Sequence, residues 1–202
     1  MTTRTLAAAT LRTPVRLETP RLFVLQPAPD DFGRVLSYYE DNRAHLEPWE
    51  PRRPDGFYTE RFWRDRLRRS QEDLAQDRAL RLFLVLRRTD AGPAQDAGEI
   101  VGTCNLTEVV RGPFQCATLG FGLSHRHEGQ GLMREALERV IPHAWDDLAV
   151  HRIQANYQPH NQRSAALLKR LGFTVEGHAR DYLHIDGQWR DHILTSLTNP
   201  RW

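Results

Sequence analysis

The stretch that decides the fold is Leu119-Gly120-Phe121-Gly122-Leu123, followed after two residues by Arg126-His127-Glu128-Gly129-Gln130-Gly131-Leu132. Its pattern predicts a strand, then a glycine turn, then the start of a long helix. Glycine allows positive φ angles and a close approach of the backbone to a bulky ligand. The first turn of a helix also carries unpaired N–H groups and partial positive charge, so the stretch predicts an anion site suited to a pyrophosphate.

The same glycines fit neither of two better-known phosphate signatures. No Gly-Lys-Ser/Thr follows them, which excludes a Walker loop. The third glycine and the later acidic residue of a Rossmann fingerprint are also missing. A Gly-x-Gly before a helix is often only a tight turn, so this stretch alone leaves both interpretations open.

Outward from this stretch, the pattern predicts one sheet with helices packed against it. Strands are expected at 17–26, 80–88, 99–109, 115–124, 151–157, 173–184 and 189–197, and helices at 30–42, 59–76, 131–148 and 161–171. The mixed order argues for a single α+β domain over 15–202, with 1–14 as a flexible N-terminal tail.

Local signals add detail to this outline. Asp30 is expected to cap the first helix, and Pro142 to kink or split the helix at 131–148. The segments 45–56 and 89–98 are expected to be a loop and a turn, and Asp186-Gly187 predicts a hairpin.

Composition limits the class of protein. The 202 residues are 40% hydrophobic and 27% charged with a net charge of +2, which argues against a general nucleic-acid binder. The two cysteines show no metal spacing, and we expect no metal and a cytoplasmic protein without membrane spans or signal peptide. Five histidines show no metal spacing, and most of them are expected to be surface or capping residues: His125, His127, His151, His160 and His192.

A second motif pair follows about thirty residues later. Asn161-x-x-Ser164 and Leu171-Gly172-Phe173, together with Arg126-x-x-Gly129-x-Gly131, resemble the two coenzyme motifs of GNAT acetyltransferases. Stretches at 47–51, 109–112, 155–161 and 186–192 are similar to the RimJ and RimL ribosomal-protein-alanine N-acetyltransferases of bacteria. The resemblance implies the GNAT fold, a twisted and splayed mixed sheet flanked by helices, with acetyl-CoA in the splay.

The resemblance also implies where the coenzyme lies. Backbone amides of 126–132 hold the pyrophosphate, the strand 121–123 pairs with the pantetheine, and Asn161 both caps its helix and contacts the pantetheine. Arg126 either adds charge or is a solvated loop residue. The predicted coenzyme-binding residues are Phe121, Gly122, Leu123, Arg126, Glu128, Gly129, Gln130, Gly131, Leu132, Met133, Asn156, Asn161 and Ser164.

Acetyl transfer needs a neutral amine and a proton for the leaving thiolate. An N-terminal amine, with a pKa of ~7.8, is roughly one-seventh neutral at pH 7, whereas a lysine amine is neutral about once in 2,500. An N-terminal acetyltransferase therefore needs only a weak base. The chain departs from common family patterns, because Thr118 stands where many relatives carry Glu and Leu168 where many carry a general-acid Tyr.

Other residues must then carry the proton steps. The resemblance to RimL enzymes makes Ser164 the candidate general acid, with a packing role as the alternative. Asp181, beside Tyr182, is the leading candidate base by alignment with a RimL glutamate, and Glu108 is the reserve.

The segment 47–51 and the hairpin tip 186–189 are candidate walls for a peptide. Trp49 would pack on the substrate and Glu47 or Glu50 would attract its cationic terminus, with Tyr182 and Trp189 completing the set. The alternative places Trp49 in the core and the glutamates in solvent.

The sequence thus predicts an acetyl-CoA-dependent N-acetyltransferase, active as a monomer or dimer and without direct nucleic-acid binding. Its expected acceptor is the N-terminal α-amine, of an alanine, of a ribosomal protein. Two alternatives stay open: an acetyltransferase for a small amine such as an antibiotic or polyamine, and a non-catalytic acyl-CoA-binding or ribosome-assembly factor.

Overall fold

The computed structural model describes residues 14–87 and 98–202. Eight strands form one sheet in the order β1-β2-β3-β4-β5-β6-β8-β7. The strands are β1 Arg16–Glu18, β2 Leu22–Leu25, β3 Leu80–Leu86, β4 Ile100–Val110, β5 Cys116–Leu123, β6 Arg152–Gln154, β7 Thr174–Ile185 and β8 Gln188–Thr198. The helices are α1 Phe32–Asp41, α2 Arg43–Leu46, α3 Glu60–Ala75, α4 Leu132–Asp146 and α5 Gln162–Arg170.

The parallel pair β5–β6 opens the sheet, while the other neighbouring strands pair antiparallel. Its register runs from Cys116↔Arg152 to Thr118↔Gln154 and then stops. Strand β5 continues along β4 as far as Leu123. Beyond Thr118 the two strands therefore diverge, and the predicted splayed α+β sheet is confirmed.

Two apolar cores lie on the two faces of the sheet. On one face α4 buries Leu132, Ala136, Leu137 and Val140 against the central strands. On the other face α1 and α3 pack an aromatic cluster in which the Tyr39 and Trp63 rings stack with centroids 4.6 Å apart. That second face also carries the open cleft described below.

The segment 17–26, expected to be one strand, forms the two strands β1 and β2 instead. Pro20 has no amide hydrogen to give a strand ladder. The Thr19 hydroxyl oxygen accepts the Leu22 amide at 2.9 Å, which closes a turn between the two strands. The predicted single strand is therefore wrong.

Helix starts in the first half differ from the prediction. A 3-10 turn at Pro29–Asp31 precedes α1, and Asp31, not Asp30, accepts the amide of Ala28 at 2.9 Å. The expected loop at 45–56 overlaps the end of α2 and includes a 3-10 turn at Glu47–Trp49, because proline fits the first turn of a helix. Thr59 caps α3 as its position suggests, by accepting the Phe62 amide at 3.3 Å.

The second half follows the prediction more closely. Helix α4 runs through Pro142 without a break, so the predicted split does not occur. The strand expected at 151–157 shortens to β6, and Tyr157 makes only an isolated bridge to Ile193. Asp186 and Gly187 both have positive φ, which confirms the hairpin turn.

Apart from Pro14 and Gly98, the expected tail at 1–14 and turn at 89–98 lie outside the described residues. Within the described ranges, no helix combines the length and the apolar character needed to cross a membrane.

Candidate active site

The loop before α4 presents free backbone donors. Gly129 and Gly131 have φ angles of 73° and 77°, and Gly131 is the residue before the first helical turn, without a side chain to cap it. The amides of Gly129, Gln130 and Gly131 have no backbone or side-chain acceptor within residues 14–87 and 98–202. Leu132 and Met133 bury their side chains in the core, so only their first-turn amides can serve an anion.

Arg21, which is distant from this loop in the sequence, contacts it through its side chain. Its guanidinium donates to the carbonyl oxygen of Gln130 at 3.0 Å and to the Glu135 carboxylate at 2.6 Å. Glu135 also accepts the Thr19 hydroxyl at 2.6 Å. Sequence reasoning missed Arg21, because more than a hundred residues separate it from the loop.

Glu128 would repel a pyrophosphate bound at this loop, but three cationic or titratable side chains surround it. Arg163 pairs with its carboxylate, and His45 Nε2 and His125 Nδ1 each lie 3.6 Å from one of its oxygens. The two histidines and the glutamate also form a group with metal-ligand spacing, their donor atoms lying within 4.8 Å of one another. Sequence spacing did not reveal this group, because His45 lies far from His125 in the chain.

Past the point of splay, the edge of β5 that faces away from β4 carries no strand partner among the described residues. This is the edge predicted to pair with the pantetheine. Gly120 lines the cleft, and a Cβ added there would have no heavy atom within 4 Å. Phe121 lines the cleft and packs against the core on the other face.

Two asparagines lie across the splay from β5. Asn161 accepts the Ser164 amide at 3.0 Å and so caps α5. Its amide nitrogen makes no hydrogen bond within the described part of the chain and is available to a ligand. Asn156 accepts the Thr195 amide at 3.3 Å and donates to the Tyr182 hydroxyl at 3.4 Å.

A cleft of about 1090 Å³ opens at the splay, between α3, the segment 49–59 and the β7–β8 hairpin. It gathers residues that the sequence predicted from distant parts of the chain, namely Trp49, Glu50, Glu108, Phe121, Asn156, Asn161, Ser164 and Tyr182. Its floor carries polar side chains of β4 that the sequence did not single out, namely Thr103, Asn105 and Thr107.

Glu108 lies at the narrow point of the splay. It sits in a β-bulge, since Thr107 pairs with Thr118 while Val110 pairs with Cys116, and its φ is 52°. Thr118 Oγ1 donates to Glu108 Oε2 at 2.9 Å. Thr118 has no carboxylate, but the Glu108 carboxylate of the neighbouring strand β4 lies beside it.

Asp181 also sits in a bulge, opposite Asp191, with φ 47°. Its amide donates to the Asp191 carboxylate at 3.0 Å, and its exposed side chain does not line the cleft. The next residue, Tyr182, does line it. The structure thus favours Glu108 over Asp181 as the candidate base.

His192 is an exception to the expectation that most of these histidines are surface or capping residues. It is buried, lines the cleft, and its ring lies 5.7 Å from that of Tyr182. Its Nδ1 lies 2.9 Å from the carbonyl oxygen of Arg190, so the neutral ring carries its proton on Nδ1 and leaves Nε2 as an acceptor.

The two segments predicted to be peptide walls, 47–51 and 186–189, contact each other. The Asp186 amide donates to the carbonyl oxygen of Glu50 at 3.1 Å. Trp49 is 39% exposed, lines the cleft and lies against His160, so it is not a core residue. Glu50 is half-buried beside Arg53, and burial raises the pKa of its carboxyl, so it is not simply solvated.

Two wall residues lie elsewhere, which corrects the prediction. Glu47 lines a neighbouring pocket of about 440 Å³ and pairs with Arg43 at 2.8 Å. Trp189 is 61% exposed on the hairpin, where it packs against His184 outside the cleft.

Comparison with known proteins agrees with this geometry. The family model described as acetyltransferase (GNAT) domain matches residues 21–174. The ribosomal protein uS5-alanine N-acetyltransferase of Escherichia coli (strain K12) is 44% identical over 188 residues, which cover 93% of each chain.

Solved structures are similar over nearly the whole chain. The ribosomal-protein-S5-alanine acetyltransferase from Vibrio fischeri has a TM-score of 0.84 and 34% identity, and the match covers 93% of this chain and 98% of that one. Mycobacterium smegmatis RimJ in complex with CoA-disulfide has a TM-score of 0.81 and 25% identity, with 95% and 90% covered. The chain therefore belongs to the GNAT acetyltransferase family and is an acetyl-CoA-dependent N-acetyltransferase.

Proposed function

We propose that this enzyme acetylates the N-terminal α-amine of a protein, and that its acceptor is the alanine terminus of ribosomal protein uS5. The observation that carries the proposal is the Glu108–Thr118 pair at the point of splay, facing an open cleft of about 1090 Å³. The cleft extends beyond the residues assigned to the coenzyme to α3 and the segment 49–59, which leaves room for a peptide end. The 44% identical enzyme of Escherichia coli supports the choice of acceptor.

Glu108 acts as the general base in this proposal. The carboxylate takes a proton from the acceptor ammonium, directly or through one water, and leaves a neutral amine. Because roughly one-seventh of an N-terminal amine is already neutral at pH 7, the reaction needs little help from a base. The Thr118 hydroxyl fixes the carboxylate in place by its 2.9 Å hydrogen bond.

The proton for the leaving thiolate comes from the opposite side of the cleft. Ser164, on the first turn of α5, is the proposed donor. The Tyr182 hydroxyl, hydrogen-bonded to Asn156 at 3.4 Å, is a second candidate on the same side. Acetyl-CoA supplies the activated acetyl group as a thioester.

Neither cysteine suits a covalent acetyl-enzyme route. Burial raises the pKa of the Cys104 thiol to about 12 and also raises that of Cys116. Both thiols thus stay protonated at neutral pH, and a thiolate is the nucleophilic form. We infer direct transfer from acetyl-CoA to the amine.

The residues at the splay fit acetyl-CoA. Free amides at 129–131 suit its pyrophosphate, and the unpaired edge of β5 suits its amide-bearing arm. Asn161 and Asn156 add side-chain hydrogen-bonding groups across the splay. We further propose one catalytic domain over 15–202 and a cytoplasmic location.

The test is a turnover assay with the full chain, acetyl-CoA and three acceptors, in which free thiol is measured. The acceptors are a peptide with the N-terminal sequence of uS5, the same peptide with a blocked terminus and an internal lysine, and spermidine. We expect thiol release with the first alone, and mass spectrometry should place the acetyl group on the terminal amine. Faster turnover of spermidine would favour the small-amine alternative, and tight coenzyme binding without turnover the non-catalytic one.

A further inference from the structure

The arginines of α3 divide into two groups. Arg64 and Arg68 make ion pairs with neighbouring carboxylates and do not line the cleft. Arg61, Arg66 and Arg69 line the cleft instead. We call these last three residues the cationic wall.

The cationic wall has no counter-ions of its own. No carboxylate lies within 4.0 Å of any of its three guanidinium groups in the described ranges 14–87 and 98–202. Asp73, an acidic group near Arg66, is already engaged by Arg78 at 2.8 Å and Arg81 at 2.5 Å. Burial, together with the charge of Arg81, lowers the pKa of Arg66, as expected for a positive charge without a partner.

The cleft lining carries charges of both signs, because Asp55 and Asp65 line it together with the arginines. Its reactive end carries Glu108, which suits a cationic amine. Arg66 lies near Arg81, and Arg81 pairs with Asn105, which is three residues from Glu108 along β4. A peptide that presents its terminus to Glu108 thus brings the side chains of its following residues beside unpaired arginines.

We propose that the cationic wall selects acceptors with acidic side chains a few residues after the N-terminus. This inference rests on the proposed function, because it assumes that a protein terminus occupies the cleft. Arg66 is half-buried, whereas Arg61 and Arg69 are exposed. Arginine forms strong hydrogen bonds with carboxylates, often two at a time. Basic residues at the same acceptor positions are repelled, so the wall discriminates in both directions.

The experiment compares alanine-starting peptides of equal length that carry Glu, Gln or Lys at one position from 3 to 8. With the unmodified enzyme we expect kcat/KM to be about tenfold higher for the best Glu peptide than for its Gln counterpart, which corresponds to about 1.4 kcal/mol. The difference should lie in KM, since the contact forms before the chemical step. It should shrink as salt is raised, because screening weakens partly exposed ion pairs.

Charge reversal separates recognition from a folding defect. The double variant Arg66→Glu with Arg69→Glu should prefer the Lys peptide over the Glu peptide, a reversal that partial unfolding does not produce. Arg64→Gln is the matched control on the same helix, because its ion pairs lie outside the cleft, and it should keep the original preference.

Two results would overturn the inference and one concerns the proposed function instead. Equal turnover of the Glu, Gln and Lys peptides at every position would show that the enzyme does not select acidic acceptors, although it is active. A single-stranded RNA oligomer that competes more strongly than the Glu peptide would assign the arginines to phosphate binding. Absence of thiol release with every alanine-starting peptide would instead reject the proposed function itself.

Discussion

Glu108 reaches Thr118 because β4 carries one extra residue opposite Ala117, and that bulge turns the carboxylate toward the point of splay. Without the bulge, the alternation of β4 would give position 108 a different neighbour. The sequence named Glu108 only as a reserve, since nothing in the spacing of a strand shows where a bulge falls. A local backbone irregularity thus decides which carboxylate lies at the reactive end.

Glu108→Gln should lower kcat by roughly 10²-fold, the usual contribution of a general base, and leave the Kd for acetyl-CoA unchanged. The Gln side-chain oxygen still accepts the Thr118 hydroxyl, so the fold should persist. Asp181→Asn is the comparison variant and should stay within roughly threefold of the parent, since its side chain lies outside the cleft. Steady-state kinetics measure kcat for both variants. A large loss in Asp181→Asn with little loss in Glu108→Gln would identify Asp181 as the base instead.

Gly129→Glu should weaken acetyl-CoA binding by about tenfold or more, because two charges a few ångströms apart at a surface repel by about 1–4 kcal/mol. Glu128 lies beside Arg163, His45 and His125, whereas the new carboxylate at position 129 lacks such neighbours. Gly112→Glu is a matched control, with φ 68° and equally open space at a distant turn. Calorimetry reports both affinities, and equal Kd values for the two variants would argue against a pyrophosphate at 129–131.

At the scale of elements, α5 combines a structural and a binding role in one residue. The oxygen of the Asn161 side chain caps the helix and its amide nitrogen stays free for the coenzyme. The sequence predicted both roles from the position of Asn161 before a helix and from the family motif. Substitutions can separate them, because Asp caps a helix about as well as Asn but lacks the amide donor.

Asn161→Asp should keep the free energy of unfolding within about 0.5 kcal/mol of the parent, while acetyl-CoA affinity falls. Asn161→Ala should lose both the helix cap and the coenzyme contact. Its free energy of unfolding should fall by about 1 kcal/mol. Urea denaturation measures the free energy of unfolding of each variant, and calorimetry measures its affinity for acetyl-CoA. Unchanged coenzyme affinity in Asn161→Asp would restrict this side chain to the cap.

Elements with strong local signals were predictable, and those shaped by their neighbours were not. Thr59 and Gly172 mark an end of α3 and α5 through capping chemistry that needs only adjacent residues. Strand β6 is shorter than its apolar pattern suggests, because its partner β5 turns away after Thr118. Strand length in a sheet depends on the partner as well as on the strand itself.

At the scale of the whole molecule, Glu135 joins the first turn of the sheet to α4 and the coenzyme loop. Burial acts to raise its pKa, but hydrogen bonds from Thr19 and Arg21 outweigh burial, and the pKa lies below the usual value. The folded state therefore favours the ionised carboxylate. That contribution to stability is fully present above about pH 4.3 and is lost as the pH falls through the lower pKa of the folded state.

Glu135→Gln should reduce the free energy of unfolding at pH 7 by roughly 1.5–3 kcal/mol, the range for hydrogen bonds to a charged group. The difference from the parent should narrow as the pH approaches 3. Glu138→Gln, on the exposed side of the same helix, is the control and should change stability by under about 0.5 kcal/mol. Urea denaturation at both pH values provides the measurement, and a deficit that is constant with pH would contradict the carboxylate's role.

The sequence by itself determined the fold class, the two coenzyme motifs and most helix and strand positions, because periodicity, glycine turns and helix caps act between residues close in the chain. Only the tertiary structure decided that Glu108 meets Thr118, that Arg21 contacts the loop at Gln130, and that Arg66 and Arg69 border the cleft with no ion-pair partner among the described residues. These contacts join distant parts of the chain. They depend on strand register, on bulges and on which face of a helix turns inward, and local pattern does not fix any of the three.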